Sequence, residues 1–238
     1  MELYIIRHGQ SCNNALKEGQ ERVCDPPLTE IGRQQVVLAA EYLKRRAAPS
    51  ETNDAQSYQN RHGYDLTRLY CSPMVRALET AEPIGQATGL TPHIWVDIHE
   101  HGGIFLDHGD ERGPVGYPGI TREEIAARFP EYRIPDCITS RGWWNRPQEV
   151  LAECVERGDL VASQLWDRFG GTDERVALVT HGGFIHSLTR ALFPDLRVGA
   201  VGFSHQNTGI SRLDFIEAGR LALRYLNRVE HLPTELVT

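Results

Sequence analysis

Residues 2–11 read Glu2-Leu3-Tyr4-Ile5-Ile6-Arg7-His8-Gly9-Gln10-Ser11. A short run rich in β-branched and aromatic residues reads as a strand, and here it stops on a cation, an imidazole and a glycine. The pattern returns at Arg175–Thr180, which is followed by His181-Gly182-Gly183. Other strand signals are Thr67–Cys71, His93–Asp97, Gly209–Ile216 and Leu221–Leu226. The last two flank the Gly-bearing turn Glu217-Ala218-Gly219-Arg220 and predict an antiparallel hairpin.

Helical signals fill the gaps. One helix is expected from about Thr29 to Arg46, with Thr29 as its cap and Glu30 at the positive end of its dipole. Gly32 weakens it by roughly 1 kcal/mol relative to alanine. A second is expected to start at Ser72-Pro73, with Met74, Ala77, Leu78, Ala81 and Ile84 on one face. Pro83 is expected to kink or end it. Further helices are expected at Thr121–Phe129, Gln148–Phe169 and Gly183–Leu192. This alternation predicts an α/β fold: a three-layer α/β/α sandwich with a mostly parallel central sheet, an antiparallel C-terminal hairpin and an inserted cap segment. One domain is expected over 1–238. It carries insertions at about 47–64, a polar surface loop, and 102–147, long enough to act as a lid or to shape a substrate site.

Composition narrows the function classes. The chain has 238 residues, 25 Lys+Arg against 32 Asp+Glu, and a net charge of −7. That balance argues against nucleic acid or an anionic membrane as partner, since both bind chiefly through positive charge. The longest apolar runs, such as Val36–Ala40, are far short of the ~20 residues a membrane span needs. The N-terminus has no basic segment followed by a long apolar one, so no signal peptide is read. Cys12, Cys24, Cys71, Cys137 and Cys154 have no CxxC spacing, which favours reduced thiols and a cytoplasmic setting. The 10 histidines are a large supply for an acidic chain.

Chemistry-bearing residues follow each of the first four strands: Arg7-His8-Gly9, then Ser72 to Arg76, then His99-Glu100-His101, then His181-Gly182-Gly183. In an open α/β sheet, ligands bind at the strand carboxyl ends, so these groups are expected to converge. Arg7 and Arg76 suit the bidentate grip on phosphate or carboxylate. The helix starting near Gly182 offers free N–H groups to an anion. Taken singly, each residue is as readily a surface ion pair or a core histidine. Their joint position at strand ends separates them from that reading.

Arg7-His8-Gly9-Gln10-Ser11 resembles the RHGxS signature of the histidine phosphatase (phosphoglycerate-mutase-like) superfamily. Asn14, Leu28-Thr29-Glu30-Ile31-Gly32, Ser72 to Ala81 and Val179-Thr180-His181-Gly182-Gly183 match in order, over roughly residues 2–215 apart from the insertions. The resemblance implies a metal-independent phosphatase that forms a phosphohistidine on His8. It implies that Arg7, Arg76 and His181 line the phosphate pocket, with Asn14 as a further polar ligand; Gly182 joins the expected phosphate-binding residues through its helix N-terminus. It also implies that Glu100 is the acid that protonates the leaving oxygen and then the base that activates water. The stretch Asp97-Ile98-His99-Glu100-His101-Gly102-Gly103 departs from the family's usual LxE…G pattern, which leaves Asp97 and Asp107 as fallbacks.

In-line phosphoryl transfer fits these residue types. Two guanidiniums and an imidazolium neutralise the equatorial oxygens, and nearby Arg charges disfavour cationic His8. No cofactor or metal is implied, and no nucleotide-binding glycine motif is present. The expected partner is a small phosphorylated metabolite, and the chain is expected to be a monomer or homodimer.

A metallohydrolase built on His99, His101, Asp107 and His108 is the first alternative, and its spacing fails, because the Asp should stand two residues after the second His and Asp107 stands six after His101. Mutase chemistry is the second. The stretch Gly19 to Pro27 lacks the Asn-Arg-Phe-x-Gly-Trp-like segment of the glycolytic mutases, which favours hydrolysis. A non-catalytic phosphate binder is the third, disfavoured because the nucleophile and both arginines are present. Trp143 and Trp144 are expected to be packing residues rather than a substrate platform.

Overall fold

The computed structural model describes residues 1–44, 59–60, 63–111, 113–197 and 201–238. Its strands are β1 (Glu2–Arg7), β2 (Arg68–Cys71), β3 (Pro92–Ile94), β4 (Phe105–Asp107), β5 (Pro114–Gly116), β6 (Arg175–Thr180), β7 (Ile210–Ile216) and β8 (Arg220–Arg228). Its α-helices are α1 (Glu30–Leu43), α2 (Val75–Thr88), α3 (Arg122–Arg128), α4 (Leu151–Phe169) and α5 (Gly182–Leu192).

Six strands form one sheet in the order β3-β2-β6-β1-β7-β8. β3, β2, β6 and β1 run parallel, while β7 and β8 are antiparallel. The two-residue period of β1 explains the layers. Tyr4 and Ile6 point into one core with Ala77, Leu78 and Ala81 of α2. Leu3 and Ile5 point into the other with Val161 and Leu165 of α4 and Phe184 and Leu188 of α5. The sheet is therefore covered on both faces, as the strand–helix alternation predicts. β4 and β5 form a separate two-stranded ribbon within 102–147.

Several boundaries differ from expectation. β3 ends at Ile94, and Val96–Ile98 coils into a 3-10 turn. α2 starts at Val75 with Met74 in the cap position and no side-chain cap, while Ser72 Oγ accepts from Met74 N at 3.3 Å and pairs with His181 Nε2. Pro83 lies inside α2 without ending it, because apolar side chains on both sides of it, Ala81 and Ile84, share one core cluster. α4 starts at Leu151 instead of Gln148, since Glu149 is drawn into a buried ion pair. Arg46, the expected end of α1, lies outside the described residues. So does most of 47–64. Of that stretch Asn60 and Tyr64 are buried, not surface-exposed, and Asn60 Nδ2 donates to Tyr4 Oη at 2.7 Å.

Thr29 caps α1 by accepting from Gly32 N at 3.0 Å. A Cβ on Gly32 would stand 2.1 Å from the Gln10 carbonyl oxygen. The glycine that weakens the helix is therefore what lets α1 press against the loop after β1. Among the described residues no helix is long and apolar enough to cross a membrane. The five cysteines are free thiols.

Candidate active site

β1 delivers Arg7 and His8 to the carboxyl edge of the sheet. His8 is 2% exposed. Its Nδ1 lies 2.6 Å from the Gly9 carbonyl oxygen, which can only accept. Nδ1 therefore carries the proton, and Nε2 is left with its lone pair. Arg76 Nε donates to that Nε2 at 3.2 Å, in agreement with this tautomer. Burial first, then the charges of Arg76 and Arg7, holds the imidazole well below its ordinary 6.5. His8 is thus neutral, with an unprotonated nitrogen.

Arg7 is anchored by Nη1, which donates to the His205 carbonyl at 2.5 Å, while its buried Nε has no partner. Arg76 stands near the start of α2, 8% exposed. Its nearest counter-charge is Asp25, with Nη1 and Oδ1 3.8 Å apart. Asp25 Oδ1 also accepts from Val75 N at 3.1 Å. Burial pushes the Asp25 carboxyl up to about 6 against the opposing pull of Arg76.

His181 caps α5 and is fully buried, its ring centroid 5.0 Å from that of His8. Its Nε2 pairs with Ser72 Oγ at 2.8 Å, and its Nδ1 is buried without a partner. Burial and the charge of Arg76 hold its pKa well below 6.5. The expected imidazolium is corrected: His181 is neutral and has hydrogen bonds, not charge, to offer.

Glu100 sits at the N-terminus of α5. Its Oε1 accepts from Phe184 N and from His101 N, each at 2.9 Å, and its Oε2 accepts from Gly183 N at 3.2 Å. A Cβ on Gly183 would stand 2.5 Å from Glu100 Oε1, so only glycine admits the carboxylate there. The helix N-terminus thus holds a side chain of the protein, and the expectation that its free N–H groups await an outside anion is corrected for Gly183 and Phe184.

Arg7, His8, Asn14, Arg76 and Glu100 line one cavity of about 520 Å³. His181 and Gly182 do not reach its wall. Asn14 Oδ1 accepts from Ser11 N at 3.1 Å, Ser11 Oγ at 3.0 Å and Asn207 Nδ2 at 3.3 Å, which orients its amide. The ribbon of the 102–147 stretch supplies Phe105, Leu106 and Asp107 to the outer wall. Asp97 faces away from this cavity, beside Trp95 Nε1 at 3.4 Å, whereas Asp107 is at the rim. His99 packs between Trp143 and Trp144, at ring distances of 5.3 and 5.0 Å, and neither tryptophan lines the cavity. His108 pairs with Tyr117 Oη at 3.0 Å. The four groups of the metallohydrolase alternative therefore do not converge, and no cluster of three or more metal-ligating side chains occurs among the described residues.

Residues 205–209 also support the site, and no motif in the sequence marks them. Asn207 Nδ2 donates to the His8 carbonyl at 3.0 Å, and Thr208 N donates to the Arg7 carbonyl at 3.1 Å. Thr80 Oγ1 accepts from Gly9 N at 3.1 Å and donates to the Arg76 carbonyl at 2.6 Å, tying the two halves together. The available signal was the hairpin itself. An antiparallel strand beside β1 begins where β1 ends, so the loop before it must reach the same edge.

The family model for the histidine phosphatase superfamily (branch 1) matches residues 3–228. A glucosyl-3-phosphoglycerate phosphatase of Mycolicibacterium vanbaalenii is 29% identical over 195 residues, covering 80% of this chain and 73% of the relative. Phosphoglycerate mutase-like protein 4 of Arabidopsis thaliana is 28% identical over 201 residues, covering 82% and 73%. Among solved structures, a mycobacterial glucosyl-3-phosphoglycerate phosphatase in complex with inorganic phosphate superposes with a TM-score of 0.55 at 24% identity, covering 98% of this chain and 99% of that one.

Proposed function

The chain belongs to the histidine phosphatase superfamily (branch 1), and from that premise we propose that it is a metal-independent phosphomonoesterase, acting as one cytoplasmic domain through a phosphohistidine on His8. The observation that carries this reading is the His8 ring: Nδ1 tied to the Gly9 carbonyl and a bare Nε2 beside the Arg76 guanidinium. A neutral imidazole in that position is a nucleophile, and the two guanidiniums favour an anionic substrate.

The proposed reaction has two displacements. His8 Nε2 attacks phosphorus, the phosphorus–oxygen bond to the leaving group breaks, and Glu100 in its protonated form gives that oxygen its proton. Arg7 and Arg76 take up the charge of the equatorial oxygens, with Asn14 as a neutral hydrogen-bonding group on the cavity wall and His181 packed behind the His8 ring. Water then attacks the phosphohistidine, Glu100 accepts its proton, the phosphorus–nitrogen bond breaks, and inorganic phosphate leaves.

The substrate class is a small phosphorylated metabolite, supported by relatives named for phosphoglycerate derivatives. Water is the acceptor in this reading, as in the relative named as a phosphatase. Hydrolysis of p-nitrophenyl phosphate tests it. Activity should survive EDTA and be lost in His8→Ala. Activity abolished by EDTA and restored by a divalent cation would overturn it.

A further inference from the structure

Glu100 is held by its carboxylate from α5, and its backbone is held from a different direction. The segment Asp97–Gly102, which carries it, is neither helix nor strand beyond the turn at Val96–Ile98. A loop of that kind fixes a side chain only if its backbone groups are satisfied elsewhere. Arg157 of α4 does this. Its Nη1 donates to the Asp97 carbonyl at 2.7 Å and to the His99 carbonyl at 2.9 Å.

The opposite edge of the same guanidinium forms a fork with Glu149. Nε donates to Oε1 at 2.8 Å and Nη2 to Oε2 at 2.6 Å. Glu149 in turn closes on the far side of Glu100: its Oε2 accepts from Gly102 N at 3.3 Å, and its own N–H donates to the Gly102 carbonyl at 3.1 Å. The guanidinium also lies over the ring of Phe184, 4.5 Å from its centroid, and Phe184 N–H is one of the donors to Glu100.

Arg157 is 8% exposed and Glu149 1%. A buried ion pair is an expensive way to fill space, since apolar residues of similar volume stabilise a core as well or better. This pair spends its remaining donors and acceptors on the backbone on both sides of one carboxylate. Burial alone would raise the Glu149 carboxyl, and the proximity of His99, 3.6 Å away, together with the two hydrogen bonds and charge of Arg157 outweighs it and holds the group well below the usual carboxylate range. The pair therefore stays charged while the loop is in place.

We propose that Arg157 and Glu149 are positioning residues for Glu100: a buried clamp that sets where the acid stands over the leaving oxygen. This rests on the assignment of Glu100 as the acid made above. The clamp touches neither the nucleophile nor the two arginines of the cavity, so it should affect proton delivery and leave phosphate capture alone.

The test compares kcat/KM for two esters, because kcat/KM ends at formation of the phosphohistidine and so reports leaving-group departure. An alkyl phosphate such as glycerol 2-phosphate needs the acid, whereas p-nitrophenyl phosphate does not. Arg157→Lys keeps the charge and loses the fork. It should lower kcat/KM at least about ten-fold on the alkyl ester and under about two-fold on the aryl ester. Combined with Glu100→Gln, it should add no further loss on the alkyl ester, since both changes remove one function. Glu149→Gln, nearly isosteric, should show the same discrimination and is read in its place if Arg157→Lys fails to fold.

Equal losses on both esters, with Glu100→Gln itself discriminating, overturn the clamp and leave the acid standing. A Glu100→Gln variant that slows both esters alike removes the acid assignment and the clamp with it.

Discussion

Arg76 and His8 share a hydrogen bond of 3.2 Å in which the guanidinium Nε–H is the donor and the imidazole Nε2 the acceptor. The bond ties the strongest nearby cation to the one nitrogen that must stay unprotonated. Burial is the larger cause of the depressed His8 pKa, and Arg76 is the next. Arg76→Gln should therefore raise the titration midpoint of the His8 ring in the ligand-free protein, followed by the NMR shift of its C2 proton. Affinity for inorganic phosphate should weaken at least about ten-fold, in line with the loss of a charge-assisted pair. An unchanged midpoint would mean that the guanidinium has no electrostatic hold on the ring.

Glu100→Gln should separate esters by their leaving groups. The amide keeps the size of the side chain and cannot deliver a proton. The expected loss in kcat/KM is about 10²–10⁴-fold for an alkyl phosphate, the usual contribution of general acid catalysis, with a small change for p-nitrophenyl phosphate. If the alkyl ester is unaffected, the acid lies elsewhere, and Asp107 at the cavity rim is the next residue to change.

Gly32→Ala sets helix propensity against packing. Alanine inside a helix gains about 1 kcal/mol over glycine. Its Cβ would stand 2.1 Å from the Gln10 carbonyl oxygen, a backbone atom with little room to yield. Overpacking of that kind costs about 2–3 kcal/mol, so the variant should be less stable. Thermal unfolding checks the sign. A raised Tm would show that the loop after β1 relaxes at no cost.

Acid should destabilise the fold through histidines held neutral. His205 is 3% exposed, and burial followed by the Arg7 charge lowers its pKa from 6.5 to about 4. Its folded value lies below its unfolded one, so the unfolded chain takes up the proton first as pH falls. The stability from this group is complete above pH 6.5 and is lost as pH falls through 4. The limit for one such group is about 3 kcal/mol. Urea midpoints measured from pH 7 down to 4 should fall, and they should fall less steeply in His205→Gln. Equal slopes would contradict the assignment.

The sequence made some of this architecture readable and hid the rest, for physical reasons. β1, β6 and the start of α1 are legible because each is specified locally: a short apolar run ending in a polar signature, or Thr29 as a cap. The positions of Arg7, His8, Arg76 and Glu100 are legible because each ends a strand or follows one within a few residues, and strand ends share an edge. Asn207 and Thr208 are not, because they arrive at the site by antiparallel pairing of β7 against β1. Asp25 is hidden for a similar reason, since its partner Arg76 lies on a different element. The start of α4 is not legible because Glu149 is committed to Arg157, a pairing that no propensity reports. Pro83 predicts a kink or an end because its local cost is visible in sequence, whereas the core contacts that carry α2 past it are not.

Covalent phosphorylation of His8 can be observed directly. Rapid mixing of the enzyme with a ³²P-labelled phosphomonoester, followed by quenching, should trap a phosphoenzyme whose bond is stable in alkali and lost in acid, with the label on the peptide containing His8. His8→Ala should trap none and should not turn the ester over. A His8→Ala enzyme that hydrolyses p-nitrophenyl phosphate at the wild-type rate, or label that survives acid, would rule out a phosphohistidine at His8.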